Sequence, residues 1–467
     1  MARKSNEAGS PKTSRLARGR KLGTLVVGQA VRRASIKAGS TILPADRTAR
    51  LLDDDAQRAA QHLVRVLGGM KGAAMKIGQM LSLIDLDAVA PERRDAFRQS
   101  LATLQADAEP VAFATMRPQI EGDLGMTVEA AFATFDTEPI AAASIGQVYR
   151  ATLHDGRTVA VKVQYPGIDA AVESDLKILA MLMKFGKTLA PTISSREVID
   201  EIADQLTREL DYAAEQQTQQ ELADFYRGHP FIVIPATVPE RCGRVTLTTE
   251  FIDGAPLSSI EDADAATRDR VGEIIYRFYQ GALYLDAAFN GDPHPGNIRL
   301  LDGGRVAFLD FGMFKTMDRD AVDAEVELIN LAAARDAEGV LNLLRSYGVA
   351  RANSTVTAEE CLSYVVDAAW WHLVDDTIRL RPSDISNAVT SAIFPTSTGF
   401  QALRRENLPP EHIFSRRLDF LTAATLASIG ASGNWFAIDS EWVTGAPPAT
   451  ELGRLDAEWR AARATTD

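Results

Sequence analysis

The protein has 467 residues, of which 46% are hydrophobic and 24% are charged, with a formal net charge of −13. This length is ample for one large domain with its own core, plus extensions. The two cysteines, Cys242 and Cys361, exclude a disulfide framework and show no metal-ligand spacing, which favours a reducing compartment. The six histidines form no ligand cluster. No segment reaches the roughly 18 apolar residues of a transmembrane helix, so none is predicted.

The first 50 residues differ in charge from the rest of the chain. They contain 12 Lys/Arg and 2 Asp/Glu, a net of +10, so the remainder carries −23. A solvated tail is the usual meaning of such a charge run. Binding to an anionic membrane surface, helped by the weakly amphipathic segment Leu22–Arg33, is a second interpretation, and a transit peptide is a third. Nucleic acid is the least favoured partner, because no basic segment is interleaved with aromatic residues. We expect a cytoplasmic protein, peripheral at the inner face of a membrane if it binds one.

A β-branched run at residues 158–163 predicts a strand carrying Lys162, in the form of the protein-kinase strand whose lysine contacts the α- and β-phosphates of ATP. Val148 lies fourteen residues earlier and ends a segment that is laid out like a kinase glycine-rich loop. Alanines replace its first two glycines, which predicts a stiffer loop and disfavours a large protein acceptor. By itself the segment would be an ordinary alanine-rich turn. Its members are Ala141, Ala142, Ala143, Ser144, Ile145, Gly146, Gln147 and Val148.

Helical periodicity predicts a helix from about Arg196 to Tyr226, capped by Ser194 or Ser195. Glu209, Asp211 and Glu215 on it are candidate partners for Lys162, and spacing does not choose among them. A solvated acidic face is the alternative.

Residues 244–254 predict a buried strand that runs into a turn, where a kinase hinge would lie. The Glu250 carbonyl and the Ile252 N–H are the candidate groups for binding adenine. A core strand with no contact to nucleotide is the alternative.

The segment Asn290-Gly-Asp-Pro-His-Pro-Gly-Asn297 precedes Asp310-Phe-Gly312. Asp292, Asn297 and Asp310 have the spacing of a kinase catalytic loop and its metal-binding turn. Taken singly, each of the two motifs could also be an ordinary turn, because Pro, Gly, Asn and Asp are the residues most common in turns. The intervening residues, Ile298–Leu301 and Arg305–Leu309 around a Gly-rich turn, predict the β-hairpin that a kinase places between these loops. The pattern therefore predicts binding of ATP or ADP with Mg²⁺, or with Mn²⁺ in its place.

Two departures from protein kinases are visible in the sequence. Asn290-Gly291 stands in place of His-Arg, and no Ala-Pro-Glu follows Gly312. Instead, helical periodicity resumes at about Asp318 and continues to Asp336, so the platform that docks a peptide substrate is missing. Residues 421–430 predict a packed helix, and the stretch from about Pro447 predicts a peripheral helix or tail.

In four places these residues resemble the UbiB/AarF family of atypical protein-kinase-like proteins. The four are Lys76-Ile-Gly-Gln79, Ala141–Val148, Glu209-Leu-Asp211 with Glu215, and Asp292–Asn297 with Asp310-Phe-Gly312. The resemblance covers roughly residues 51–320. It implies an ion pair of Lys162 with Glu215, metal ligation by Asn297 and Asp310, and a catalytic role for Asp292. It also implies that Lys76, Gln79, Glu209 and Asp211 belong to a helical extension over the cleft.

The resulting prediction is an α+β, two-lobed kinase-like fold. Its parts would be a basic tail (1–50), a helical extension (51–110), an N-terminal lobe with inserted helices (111–254), a helical C-terminal lobe (255–446) and a C-terminal tail (447–467). The resemblance implies an ATPase that supports prenylquinone biosynthesis, with prenylquinone intermediates or the enzymes that make them as partners. The alternatives are a phosphotransferase for a small-molecule or protein acceptor, and a nucleotide-binding scaffold without catalysis.

Overall fold

The computed structural model describes residues 110–143, 145–174, 176–177, 206–350, 355–385 and 410–465. Residues 167–174 and 176–177 belong to a unit separate from the other described residues, which form the two lobes. Within the described residues, no helix combines the length and the apolar character that crossing a membrane requires.

The described residues up to 254 form the N-terminal lobe and also contribute one strand, β5, to the C-terminal lobe. Its elements in chain order are α1 Phe113–Leu124, α2 Val128–Ala131, β1 Thr134–Phe135, β2 Ala141–Ala142, β3 Gly146–Thr152, β4 Thr158–Gln164, α3 Tyr212–Phe225, β5 Ile232–Val233, a 3₁₀ turn Pro239–Arg241 and β6 Thr246–Glu250. The strands pair in the order β1-β3-β4-β6, with β2 on the end of β3. All these pairings are antiparallel.

Alternation along β4 decides which way Lys162 faces. Val159, Val161 and Val163 are fully buried against α1 and α2. Because successive side chains of a strand point to opposite faces, Lys162 lies on the other face, away from this apolar core. The predicted strand is thus present, with the lysine directed out of the lobe's core.

The prediction of one helix from about Arg196 to Tyr226 is wrong at its centre. Residues 196–205 lie outside the described part of the chain. Residues 209–211 form a turn, and α3 begins only at Tyr212, because the Asp211 side chain caps it by accepting the Ala214 N–H at 3.0 Å. The buried face of α3 then repeats every three or four residues, at Tyr212, Glu215, Gln219 and Ala223.

The C-terminal lobe is mainly helical. Its elements are β7 Ala255–Pro256, a 3₁₀ turn Leu257–Ile260, α4 Ala265–Tyr276, a π-helix Arg277–Gly281, α5 Ala282–Asp286, β8 Ala288–Asn290, a 3₁₀ turn Pro295–Asn297, β9 Ile298–Leu301, β10 Arg305–Phe308, β11 Phe314–Thr316, α6 Arg319–Ala333, α7 Ala337–Ser346, α8 Ala358–Ala369, a 3₁₀ turn Trp370–His372, β12 Ile378–Arg379, α9 Pro410–Ser428, β13 Ser432–Gly433, α10 Trp435–Val443 and α11 Glu451–Ala464.

The predicted hairpin is confirmed, since β9 and β10 pair antiparallel from Ile298–Phe308 to Leu301–Arg305. Its outer neighbours are β7 on one side and β5, in parallel, on the other. Residues 226–234, which the sequence places in the N-terminal lobe, therefore belong to the C-terminal lobe. Tyr226, Phe231 and Ile232 are buried in its apolar core, and the chain returns to the N-terminal sheet only with β6.

The helices expected after the metal-binding turn are present. Asp318 caps α6 by accepting the Asp320 N–H, so the helix begins seven residues after Gly312. α9 includes the segment 421–430 as far as Ser428 and packs in the C-terminal core. The stretch expected as a peripheral helix or tail is α11. Leu452 of this helix is buried, and Trp459 lies against Phe225 and Tyr226 at the end of α3.

A buried histidine in this lobe is held between carboxylates. His372 Nδ1 lies 2.6 Å from Asp439 and Nε2 lies 3.2 Å from Asp419, while the Tyr276 hydroxyl donates to Asp439 at 2.6 Å. Burial lowers the pKa of His372, but the two carboxylates outweigh burial and raise it to about 10. The folded state therefore favours the imidazolium ion.

Because the folded-state pKa of His372 exceeds the unfolded value near 6.5, its contribution to stability is complete below pH 6.5 and is lost as the pH rises through about 10. We expect the melting temperature to fall across this interval, and the fall to be smaller in His372→Gln. Thermal unfolding against pH measures this, with the exposed His154→Gln as control. An unchanged slope in His372→Gln would contradict the assignment.

Candidate active site

The side chains of β4 and α3 meet in a buried ion pair. Lys162 Nζ lies 2.8 Å from Glu215 Oε1 and 3.1 Å from Oε2. The Glu215 side chain is 2% exposed and the Lys162 side chain 19%. Of the three acidic candidates on the predicted helix, the structure thus places Glu215 against the lysine. Burial lowers the pKa of Lys162, but Asp310 and Glu215 raise it well above its usual value, so the ammonium stays charged.

Asp310 brings the turn at residues 310–312 to the same ammonium. Its Oδ2 lies 3.3 Å from Lys162 Nζ, and its Oδ1 accepts the Gly312 N–H at 3.2 Å. The Asp310 side chain is 32% exposed, far more than Glu215. One carboxylate is therefore buried with the lysine, while the other faces the accessible side of the site. Phe311 is buried in the C-terminal core and anchors the turn.

The loop after β8 places Asp292 and Asn297 together. The Asn297 side-chain amide donates to Asp292 Oδ2 at 3.4 Å, and the Leu309 N–H donates to the Asn297 carbonyl at 3.0 Å. This second bond ties the catalytic loop to the end of β10, immediately before Asp310. The confirmed hairpin therefore brings Asp292, Asn297 and Asp310 to one place, as their spacing predicted.

The alanine-rich segment forms β2, a tight turn and the start of β3. Ala141 and Ala142 are exposed, and the Ala143 N–H donates to the Gly146 carbonyl at 2.8 Å across the turn. Ser144 lies outside the described residues. Ala141 pairs with Val148, which pairs with Lys162, so these three share a row across the sheet.

The expected hinge is the end of β6. Glu250 is the last residue of that strand and pairs with Val159, while Ile252 follows in an irregular segment. The Glu250 N–H donates to the Ala236 carbonyl and its carboxylate accepts the Ala236 N–H at 3.1 Å. Within the described residues the Ile252 N–H makes no backbone hydrogen bond. Its proposed bond to adenine stays a prediction.

The side-chain oxygens of Asp310 and Asn297 suit a magnesium ion that is also bound by a substrate, and they are too few to hold a metal by themselves. The described residues contain no group of three or more His, Cys, Asp or Glu side chains that could hold a metal. Asp310 and Asn297 supply one carboxylate and one amide oxygen. Mg²⁺ is commonly bound by one or two such ligands together with the phosphates of a substrate and with waters.

Residues 103–344, just over half of the chain, match the family model of the ABC1 atypical kinase-like domain. The chain belongs to this family. The resemblance to UbiB/AarF proteins is thereby confirmed, and so is the two-lobed α+β kinase-like fold.

Several relatives of the ABC1 domain are similar over part of their length. The mitochondrial atypical kinase COQ8B of Rattus norvegicus is 30% identical over 284 residues, which cover 60% of this chain and 53% of the relative. AarF domain-containing protein kinase 1 of Mus musculus is 30% identical over 271 residues, covering 56% and 50%. The chain thus spans about half the length of these relatives.

A solved structure of similar fold is described as the complex of Rv3197 with erythromycin from Mycobacterium tuberculosis. It has a TM-score of 0.60 and 28% sequence identity, and the match covers 85% of this chain and 97% of that one.

Three polar residues of the ABC1 domain that position the site were not predicted as such. Asn290 is 3% exposed; its amide donates to the Asp310 carbonyl at 2.5 Å, and its Oδ1 accepts the Asp292 N–H at 3.2 Å. Gln164, two residues after Lys162, donates to the Leu210 carbonyl at 2.9 Å and so fixes the turn before α3. Gln147 bonds both backbone groups of Val111. The available signal was an amide side chain beside apolar residues, as for Asn290 after Ala288-Phe289 and Gln164 after Val163.

Among the remaining predicted site residues, Glu209 lies near the ion pair: burial raises the pKa of Glu215, and the charge of Glu209 raises it further. Lys76 and Gln79 lie outside the described residues. Asp211 is the exposed cap of α3, and Glu209 is half-buried in the turn before it. Their family-implied role in a helical extension stays a prediction.

Gly146, the one glycine of the alanine-rich segment 141–148, has no room for a side chain. A Cβ at Gly146 would lie 2.2 Å from the Val163 carbonyl oxygen, next to Lys162 on β4. Gly146→Ala should therefore force β3 and β4 apart and lower the free energy of unfolding by about 1–3 kcal/mol.

Denaturant unfolding tests this, with Gly122→Ala as the matched control. Gly122 lies within α1, and a Cβ there meets nothing within 4 Å, so alanine should be neutral or stabilising. Equal stability of Gly146→Ala and the wild type would contradict the close approach.

Proposed function

We propose that this protein binds ATP with Mg²⁺ and transfers the terminal phosphoryl group to water or to a small acceptor. The observation that supports this is the placement of Lys162 Nζ within hydrogen-bonding distance of both Glu215 and Asp310. In kinases the lysine–glutamate pair and the metal-binding aspartate must both be in place for transfer.

Each residue then has a defined task. Lys162, held by Glu215, would contact the α- and β-phosphates, and the β6 edge at Glu250 and Ile252 would bind adenine. Asp310 and Asn297 would hold the metal, which when bound neutralises charge on the phosphates. Asp292 would orient the attacking hydroxyl or water and accept its proton.

Two features favour a small acceptor over a protein. Ala141 and Ala143 carry Cβ atoms where the first two glycines of a kinase loop would let the backbone approach the phosphates closely. The chain also passes from Gly312 through the short strand β11 directly into α6 at Arg319. This leaves six residues, too few for a platform on which a peptide could dock.

The biological role proposed for this activity is support of prenylquinone biosynthesis at a membrane surface, through contact with lipid intermediates or the enzymes that make them. The support is the family and the similarity to COQ8B, which is named as a mitochondrial atypical kinase. The basic residues 1–50, with a net charge of +10, would bind the anionic inner face of a membrane.

The test is steady-state ATP hydrolysis by the purified protein with Mg²⁺, with and without anionic liposomes. Turnover without an added acceptor, stimulated by the liposomes, supports an ATPase that works at a membrane. Nucleotide binding without turnover would overturn the ATPase and favour either a phosphotransferase that needs its acceptor or a scaffold.

A further inference from the structure

The C-terminal lobe contains a cleft that the nucleotide site does not use. Three chain segments surround it: Glu261 before α4 with Arg268 in its first turn, residues 379–382 from the end of β12 onward, and residues 427–430 at the end of α9. Its volume is about 440 Å³, within the usual range for small-molecule sites. None of the residues assigned to nucleotide, metal or catalysis lines it.

Three arginines give this cleft its charge. Within the described part of the chain, Arg268, Arg379 and Arg381 have no carboxylate at ion-pair distance, although the protein as a whole carries −13. Arg268 Nη1 donates to the Glu261 backbone carbonyl at 3.2 Å, and its buried Nε has no hydrogen-bond partner. Glu261 is the one acidic side chain in the lining.

The backbone holds Arg379 in place at the cleft. β12 pairs with β13 so that Arg379 lies opposite Ser432, and the Leu380 N–H donates to the Ala431 carbonyl at 3.1 Å. Gly430 has φ +62°, and a Cβ there would lie 2.9 Å from Arg379 Nη2. The left-handed backbone at this position therefore favours a glycine.

We propose that this cleft binds a phosphate-bearing ligand. Guanidinium groups form paired, charge-assisted hydrogen bonds with phosphate oxygens. Three arginines against one glutamate suit a ligand with two or more negative charges better than a single carboxylate. Pro382, which is exposed, adds an apolar surface for an organic part of the ligand. The proposal does not depend on the nucleotide site being active.

The experiment compares Arg379→Gln and the double variant Arg268→Gln/Arg379→Gln with the wild type. Arg345→Gln, an exposed arginine on α7, is the matched control. Inorganic pyrophosphate is titrated calorimetrically into each full-length protein, and co-sedimentation is measured with phosphatidylcholine vesicles containing phosphatidic acid. Thermal unfolding without ligand establishes that each variant is folded.

We expect the Kd for pyrophosphate to rise about tenfold or more in Arg379→Gln, further in the double variant, and not in Arg345→Gln. A loss confined to the vesicle assay would support the same site with a lipid headgroup as the source of phosphate. If neither assay separates the cleft variants from Arg345→Gln, the proposal is overturned.

Discussion

Replacing Asp310 with asparagine is expected to reduce ATP turnover by about 10²–10³-fold, the usual loss when one stabilising group is removed from a transition state. Asparagine has the same shape, so the Gly312 N–H at 3.2 Å keeps an acceptor. The negative charge disappears, however, and with it the carboxylate that would hold the metal. Steady-state hydrolysis with Mg²⁺ measures the loss, and Mg²⁺-dependent nucleotide binding should weaken in parallel.

The matched control is Asp302→Asn, which removes a carboxylate in the exposed turn of the β9–β10 hairpin. Its turnover should equal that of the wild type. Wild-type turnover in Asp310→Asn would show that any hydrolysis observed does not use this turn, and the proposed function would be wrong.

Replacing Glu215 with glutamine is expected to lower the free energy of unfolding by about 3 kcal/mol. Breaking a buried ion pair leaves the remaining charge uncompensated, which commonly costs roughly 3–5 kcal/mol. The lower end applies because Asp310 remains 3.3 Å from Lys162 Nζ. The loosened lysine should also weaken nucleotide binding. Denaturant unfolding and nucleotide titration measure the two effects.

Glu221→Gln provides the control on the same helix, because Glu221 is exposed and, among the residues the structure describes, its side chain bonds only to Gln217 one turn earlier. Its stability should stay within about 0.5 kcal/mol of the wild type. A Glu215→Gln variant as stable as Glu221→Gln would mean that the ion pair contributes little, and that α3 is positioned by its other contacts, such as the Gln219 amide donating to the Pro235 carbonyl.

Local patterns predicted the parts of the site that depend on neighbouring residues in the chain. The β-branched run at residues 158–163 predicted the strand that carries Lys162, and Asp302-Gly-Gly304 predicted the hairpin turn, where both glycines have positive φ. The hairpin brings Asp292, Asn297 and Asp310 to one place, as their spacing indicated.

The rest depended on contacts between distant residues. Helical periodicity continues through Glu209–Asp211, so it could not show that the Asp211 cap and the Gln164–Leu210 bond end one segment and start α3. Nor could spacing choose Glu215, because the choice depends on which side of α3 faces β4. Nor could local patterns show that β5, only two residues long, pairs with β10 far along the chain.

The two bonds of Asn290 have a consequence for pharmacology. Its amide holds the Asp310 carbonyl, its carbonyl holds the Asp292 N–H, and Phe311 is buried beside it in the C-terminal core. An inhibitor that requires the Phe311 ring to swing outward would have to break the first bond and empty a filled part of the core. Compounds selective for this protein should therefore be designed to the inward arrangement, and should exploit the Cβ atom of Ala141, which shares a row with Lys162.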